Sequence, residues 1–171
     1  MTAKALVAGV GNVFLGDDGF GVEVARHLAG EELPDWVQVA DVGIRGVHLA
    51  YELLDGYDLT ILVDATPRGG TPGSVYVIEP RSGQADPSAP FGTPVMDAHG
   101  MEPEAVLALV GVLGGTLGRV LVVGCEPAEV SERMGLSAPV AAAVAPAARV
   151  VRELLEDFER AELGGLPRKG S

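Results

Sequence analysis

Residues 5–21 read ALVAGVGNVFLGDDGFG, and this stretch decides the fold. Its first part, Ala5–Val10, is a continuous apolar run that ends among glycines, which is typical of a strand buried in a parallel sheet. The stretch then enters a segment with apolar residues at Phe20, Val24 and Leu28, which is helical spacing. A buried strand that passes through a glycine-rich turn into a helix predicts an α/β fold.

The rest of the chain continues this alternation of strands and helices. Further strands are predicted at 36–42, 59–63, 74–78 and 119–124, and helices at 46–54, 104–113 and 138–160, the last with a kink or break at Pro146. We therefore expect a three-layer α/β sandwich in which helices flank a twisted, mainly parallel sheet of five strands. In this interpretation residues 1–162 form one domain, and residues 163–171 form a flexible C-terminal tail.

The composition argues against several classes of protein. The chain has 171 residues, with 12 Lys and Arg against 24 Asp and Glu, and the resulting net charge of −12 does not favour nucleic-acid binding. Its single cysteine, Cys125, excludes a disulfide framework or a cysteine-based metal cluster within one chain. No apolar run is long enough for a membrane span, and no signal peptide is recognisable. We expect a cytoplasmic monomer or weak homodimer that binds neither nucleic acid nor membrane.

The glycine-rich stretch 9–21 resembles a dinucleotide-binding turn only at its start. The third glycine of that motif would fall on Phe14, and the carboxylates of Asp17 and Asp18 at the helix entrance would repel a phosphate. A nucleotide-binding domain is therefore the weaker alternative, and a cation suits this loop better. One of the two acids is enough to cap the helix, and the other is a candidate ligand. We expect the glycines to bring backbone and a carboxylate up to a bulky partner.

Two further candidates follow later in the chain. Asp64 comes directly after the apolar run 59–63, and His99 precedes a predicted helix. Each has an ordinary interpretation, as a capping acid and as a surface histidine. Because ligands bind beyond the carboxyl ends of parallel strands, both side chains and the acids of the opening loop are expected at one edge of the sheet. One or two carboxylates with an imidazole suit a first-row divalent metal.

Four segments, 9–21, 41–46, 62–65 and 99–100, are together similar to the motifs of a known family. They resemble the hydrogenase maturation endopeptidases, nickel-dependent proteases that trim the large subunit of NiFe hydrogenases, and the match extends over nearly the whole chain. The resemblance implies that Asp18, Asp64 and His99 bind the metal and carry out catalysis, with Asp17 as the alternative to Asp18.

The second motif begins at Asp41 and contains Gly43, Arg45 and Gly46. Together with Asp17 these three residues are candidates for contact with the substrate peptide. The alternative for the glycines is a strand-to-helix turn that needs a positive φ.

The resemblance also implies an activity. The enzyme would make one cut near the C-terminus of the large-subunit precursor, after nickel insertion, and recognise nickel that belongs to the substrate, so the isolated enzyme need not contain the metal. No serine lies in a nucleophile elbow, and Cys125 is either a core residue or a group on the ligand-bearing edge. Metal-assisted hydrolysis with Asp18 or Asp64 as base is thus the expected mechanism. The alternative is a non-catalytic metal-binding or chaperone-like module for hydrogenase assembly.

Overall fold

A computed structural model describes residues 3–43, 49, 52–79, 96–97, 100–101, 110–114 and 118–163. The strands are β1 (Ala5–Val10), β2 (Val37–Gly43), β3 (Leu59–Ala65), β4 (Val75–Ile78), β5 (Met96–Asp97), β6 (Gly100–Met101) and β7 (Arg119–Cys125). The helices are α1 (Phe20–Ala29), which follows a 3₁₀ turn at Gly16–Gly19, and α2 (Ala138–Leu163). Residues 49, 52–53 and 110–112 are also helical.

The main sheet has five strands in the order β2-β1-β3-β7-β4. The first four strands are parallel, and β4 runs antiparallel to β7 at the edge. The prediction of a mainly parallel five-stranded sheet is confirmed. The four parallel strands end on the same side of the sheet, at Gly43, Val10, Ala65 and Cys125, and we call this side the carboxyl edge.

Helices cover both faces of the sheet. On one face, α1 and α2 pack against alternate residues of β1, β3 and β7, such as Val7, Ile61 and Val123, which have no exposed surface. On the other face, helical Leu49 and Val110 pack in a second buried cluster. The two clusters use opposite sides of the same strands, which is the three-layer sandwich that the alternating pattern predicts.

Helix α1 lies unusually close to the sheet because two glycines remove the side chains between them. A Cβ on Gly21 would lie 2.0 Å from the carbonyl oxygen of Val63, and a Cβ on Gly9 would lie 2.3 Å from the carbonyl oxygen of Gly21. Both glycines belong to regular elements, β1 and α1. The expectation that all five glycines of residues 9–21 serve contact with a partner is wrong for these two, because they make room for packing.

Helix α2 differs from the expectation in two respects. It continues through Pro146 without a break and ends at Leu163, one residue into the range predicted as a tail. Pro146 lies on the exposed side of the helix, and so does Ala142, whose carbonyl oxygen loses its helical partner and faces water instead. The buried side of α2, at Ala147 and Val151, packs in the core and outweighs the cost of the proline.

The third strand also differs from the expectation at its end. It continues past its predicted end at Val63 through Asp64 to Ala65. Arg45, Gly46, His99 and residues 164–171 lie outside the described residues. Within the described part of the chain, no helix is both long enough and apolar enough to cross a membrane.

Candidate active site

The opening loop folds back so that two of the predicted acids border the same small space at the carboxyl edge. Gly11, directly after β1, has a φ of 137°, a conformation that favours glycine. A Cβ on Gly11 would lie 1.9 Å from the carbonyl oxygen of Asp18 and 3.6 Å from Oδ1 of Asp64. The structure therefore brings Asp18 and Asp64 together at one glycine, although their roles as ligands stay predictions.

The carboxylate of Asp18 is oriented by the loop that it closes. Its Oδ2 accepts a hydrogen bond from the backbone N–H of Asn12 at 2.8 Å. The side chain of Asn12 in turn accepts one from the backbone N–H of Phe14 at 2.9 Å, as in an Asx turn. Asp18 is only half-buried, in contrast to its neighbour Asp17.

Asp64 reaches the same space from the neighbouring strand. It is part of β3, where it is in register with Gly124 of β7, and its Oδ1 accepts the backbone N–H of Ala65 at 2.8 Å. The strand is fully buried up to Val63, and Asp64 is the first residue with exposed surface. The burial pattern thus makes Asp64 a carboxylate at the point where the core opens to solvent.

Asp17 has the opposite surroundings and points away from this space. It has 0% exposed surface. Its Oδ2 accepts hydrogen bonds from the backbone N–H groups of Ala128 at 2.8 Å and Glu129 at 2.9 Å and from the hydroxyl of Ser137 at 2.8 Å. Its Oδ1 accepts the backbone N–H of Ser137 at 2.7 Å.

These bonds decide the charge and the role of Asp17. Burial by itself raises the pKa of the carboxyl, but the hydrogen bonds from Ser137, Glu129 and Ala128 outweigh burial and hold the pKa below its usual value. An ionised carboxylate with no exposed surface and four donors has the surroundings of a structural anion. These surroundings favour Asp18 over Asp17 as the ligand, and contact of Asp17 with the substrate stays a prediction.

The second motif is described only at its beginning. Gly43 ends β2 opposite Val10, after a register shift between Gly9 and Val10, so its backbone reaches the carboxyl edge. Arg45 and Gly46 lie outside the described residues. Contact of these three residues with the substrate stays a prediction.

The third predicted metal ligand, His99, also lies outside the described residues, between the paired strands β5 and β6 in the chain. Among the residues that the structure does describe, no group of three His, Cys, Asp or Glu side chains could hold a metal ion. Asp18 and Asp64 supply two carboxylates at one place, which fit a divalent cation only when a further donor joins them. Nickel binding by Asp18, Asp64 and His99 stays a prediction.

A second buried acid, Glu126, follows β7 and is absent from the sequence-based site. Its carboxylate accepts the backbone N–H groups of Arg68 at 2.9 Å and Gly70 at 2.6 Å and the hydroxyl of Tyr76 at 3.0 Å. Burial raises its pKa, and these hydrogen bonds lower it further than burial raises it, so the pKa lies below the usual value. An acid directly after a buried strand is the same signal that singles out Asp64, and here it marks a structural group.

Comparison with known proteins assigns this chain and its fold to a family. A family model described as hydrogenase maturation protease matches residues 22–154. The chain belongs to this family. It is 34% identical over 158 residues to the hydrogenase expression/formation protein HupD of Rhizobium leguminosarum bv. viciae, an alignment that covers 87% of this chain and 74% of HupD.

Solved structures give the same assignment. The hydrogenase maturating endopeptidase HybD from E. coli superposes with a TM-score of 0.73 at 25% identity, over 91% of this chain and 93% of HybD. A hydrogenase 2 maturation peptidase from a Thaumarchaeota archaeon gives a TM-score of 0.65 at 32% identity, over 90% of this chain and 98% of that one. The predicted family and fold are confirmed, and this hydrogenase maturation protease is a peptidase.

A peptidase needs a nucleophile, and Cys125 of this maturation protease does not provide a thiolate. The side chain has 0% exposed surface, and its Sγ donates to the carbonyl oxygen of Glu126 at 3.7 Å. Burial raises the pKa of the thiol to about 11, and the negative charges of Asp17 and Glu126 add to that effect. The open question about Cys125 is settled in favour of a core residue.

Proposed function

We propose that this peptidase removes the C-terminal extension of a NiFe hydrogenase large-subunit precursor after nickel insertion, and that it recognises the nickel carried by that substrate. Family membership supports a hydrogenase protein as the substrate. The observation that carries the proposal is that the backbone carbonyl of Asp18 and the Oδ1 of Asp64 both lie at Gly11, which places two half-buried acids side by side at the carboxyl edge.

The chemistry of these side chains suits hydrolysis at a metal-bearing substrate. Asp18, Asp64 and His99 would contact the substrate's nickel, since carboxylates and imidazole are ligands that divalent nickel accepts. One carboxylate takes a proton from the attacking water as the water oxygen bonds to the scissile carbonyl carbon, and the proton passes to the leaving amide nitrogen. The protonated, buried Cys125 supports water rather than a thiolate as the nucleophile.

The test is cleavage of a purified, nickel-loaded precursor, followed as a loss of mass at its C-terminus. Wild type should cleave this precursor and leave the nickel-free precursor intact. Asp64→Asn should abolish cleavage while the protein stays folded. Asp35→Asn is the matched control, because Asp35 is an exposed acid just before β2, at the opposite side of the sheet, and its loss should change nothing.

Each part of the proposal fails on a different result. Full cleavage by a folded Asp64→Asn variant would refute the role of Asp64. Equal cleavage of nickel-loaded and nickel-free precursors would refute nickel recognition. Binding of the precursor without any cleavage by wild type would favour the non-catalytic assembly module.

A further inference from the structure

The opening loop is held down by a distant segment of the chain. Residues 127–137, which we call the strap, follow Glu126 after β7, lead into α2 and lie against the loop through backbone hydrogen bonds. Gly16 donates to the carbonyl of Arg133 at 2.8 Å, Arg133 donates to Phe14 at 3.1 Å, and Asp17 donates to Glu129 at 3.0 Å. Loop and strap therefore form one unit at the carboxyl edge.

The carboxylate of Asp17 is the centre of this unit. It accepts hydrogen bonds from three backbone N–H groups of the strap, those of Ala128, Glu129 and Ser137. It also takes the hydroxyl of Ser137. One side chain thus satisfies both ends of the strap at once.

Through Ser137 the same carboxylate is joined to the longest helix of the fold. The carbonyl oxygen of Ser137 accepts the backbone N–H of Ala141 at 2.8 Å, so Ser137 is the residue that caps the start of α2. A negative charge at this end of a helix is favourable because of the helix dipole. Since α2 packs in the same core as α1 and the sheet, the bonds of Asp17 tie the 3₁₀ turn to a rigid part of the molecule.

Because Asp17 is anchored, the 3₁₀ turn at Gly16–Gly19 sets the position of the next residue, Asp18. Consecutive side chains of a 3₁₀ helix point about 120° apart. When Asp17 points into the strap, Asp18 must point elsewhere, and its carboxylate does so toward the backbone N–H of Asn12. The buried Asp17 thereby fixes the rotation of the turn about its axis, and this rotation sets the direction of the half-buried Asp18.

We propose that Asp17 is a positioning residue for the peptidase: by binding the strap and the start of α2, it holds the carboxylate of Asp18 beside Asp64. This inference rests on the proposed function of Asp18. It does not require Asp17 to act as a ligand or as an acid. The strap then contributes to catalysis by holding Asp17, which needs no contact between the strap and the substrate.

Glu126 offers a matched control for a role that is only structural. It too is a buried carboxylate that binds backbone N–H groups and a hydroxyl, but its partners, Arg68, Gly70 and Tyr76, belong to the turn before β4 and to β4 itself. Asp17→Asn and Glu126→Gln each remove one charge and turn one acceptor into a donor. Only the first change loosens the turn that carries Asp18.

The experiment measures kcat and KM for cleavage of the nickel-loaded precursor by the full chain, together with the thermal unfolding midpoint. Asp17→Asn should lower kcat about 10- to 100-fold in folded protein, with KM within about threefold, because a misplaced catalytic group slows the reaction without removing substrate contacts. Glu126→Gln should keep kcat within about twofold of wild type, even where its thermal unfolding midpoint falls as far as that of Asp17→Asn.

Ser137 provides a second, milder series in case Asp17→Asn does not fold. Ser137→Ala removes one of the four donors and should lower kcat severalfold, and Ser137→Thr, which keeps the hydroxyl, should restore it. Wild-type kcat in folded Asp17→Asn or Ser137→Ala, or an equal fall in kcat for Glu126→Gln, would overturn the positioning role. Failure of wild type to cleave, or full activity of Asp18→Asn, would instead overturn the proposed function and this inference with it.

Discussion

The two sides of the 3₁₀ turn carry neighbouring acids in opposite surroundings. On the inner side, Asp17 is fully buried and its carboxylate accepts four hydrogen bonds from the strap. On the outer side, Asp18 is half-buried and lies across Gly11 from a second half-buried carboxylate, Asp64. Asp17 and Asp18 both lie close to the end of β1, and their side chains point about 120° apart around the 3₁₀ turn.

The difference shows how a protein uses equal side chains for unequal purposes. A carboxylate whose oxygens are fully occupied by N–H and O–H donors is stable as an anion and has no capacity left for a ligand. A half-buried carboxylate beside another acid at a strand end is in the kind of place where functional acids lie. The inner side of the turn is therefore expected to govern stability and position, and the outer side chemistry.

The largest expected effect separates the two sides most sharply. Asp18→Asn should reduce the cleavage rate of the nickel-loaded precursor about 10²- to 10³-fold, since a catalytic carboxylate is lost. The free energy of unfolding should change by less than about 1 kcal/mol, because the amide oxygen of Asn can still accept the N–H of Asn12. Rate assays and urea denaturation of the same preparation check both numbers. A strongly destabilised but active variant would contradict the comparison.

The reciprocal change should act on stability. Asp17→Ala removes the charged acceptor that three backbone N–H groups of the strap and the hydroxyl of Ser137 share, and the free energy of unfolding should fall by roughly 3 kcal/mol or more. Urea denaturation followed by circular dichroism measures this loss. A loss below about 1 kcal/mol would mean that the inner side of the turn does not hold the strap.

A smaller effect, confined to acid pH, extends the comparison to Glu126. Its folded-state pKa lies below the unfolded value of about 4.5, so the stabilisation from its ionised form is complete above that value and is lost as pH falls through the folded pKa. Glu126→Gln should therefore be less stable than wild type at neutral pH, and the difference should shrink as pH falls below about 4.5. Unfolding midpoints measured from pH 7 to pH 3 give the curve. A difference that stays constant over this range would exclude ionised Glu126 as its source.

The smallest expected effect concerns Cys125, whose pKa the charge on Asp17 helps to raise. Cys125→Ala should leave the cleavage rate within about twofold of wild type and cost about 1 kcal/mol of stability, as for a small buried side chain. In wild type the thiol should resist alkylation at pH 8 until the protein is unfolded, because almost none of it is thiolate at that pH. Loss of cleavage in folded Cys125→Ala would restore the thiol as a candidate nucleophile.

Much of the fold follows from local pattern. Apolar runs such as Ala5–Val10 and Leu59–Val63 mark buried strands, and helical spacing marks α1 and α2. The shared edge of Asp18 and Asp64 also follows from sequence, because the carboxyl ends of adjacent parallel strands necessarily lie together. Element ends are less predictable: the third strand extends through Asp64 and α2 passes Pro146, since sheet register and core packing override local preference.

The α/β class, the parallel sheet, the family motifs and the strand ends that carry acids could all be predicted from the sequence alone. These features depend on short-range periodicity and on the order of elements along the chain. The tertiary structure was needed to distinguish the buried, fully hydrogen-bonded Asp17 from the half-buried Asp18. The donors that occupy Asp17 come from Ala128 and Ser137, which are 111 and 120 residues away. No local pattern carries that information, because burial and hydrogen bonding between distant segments arise only when the chain has folded.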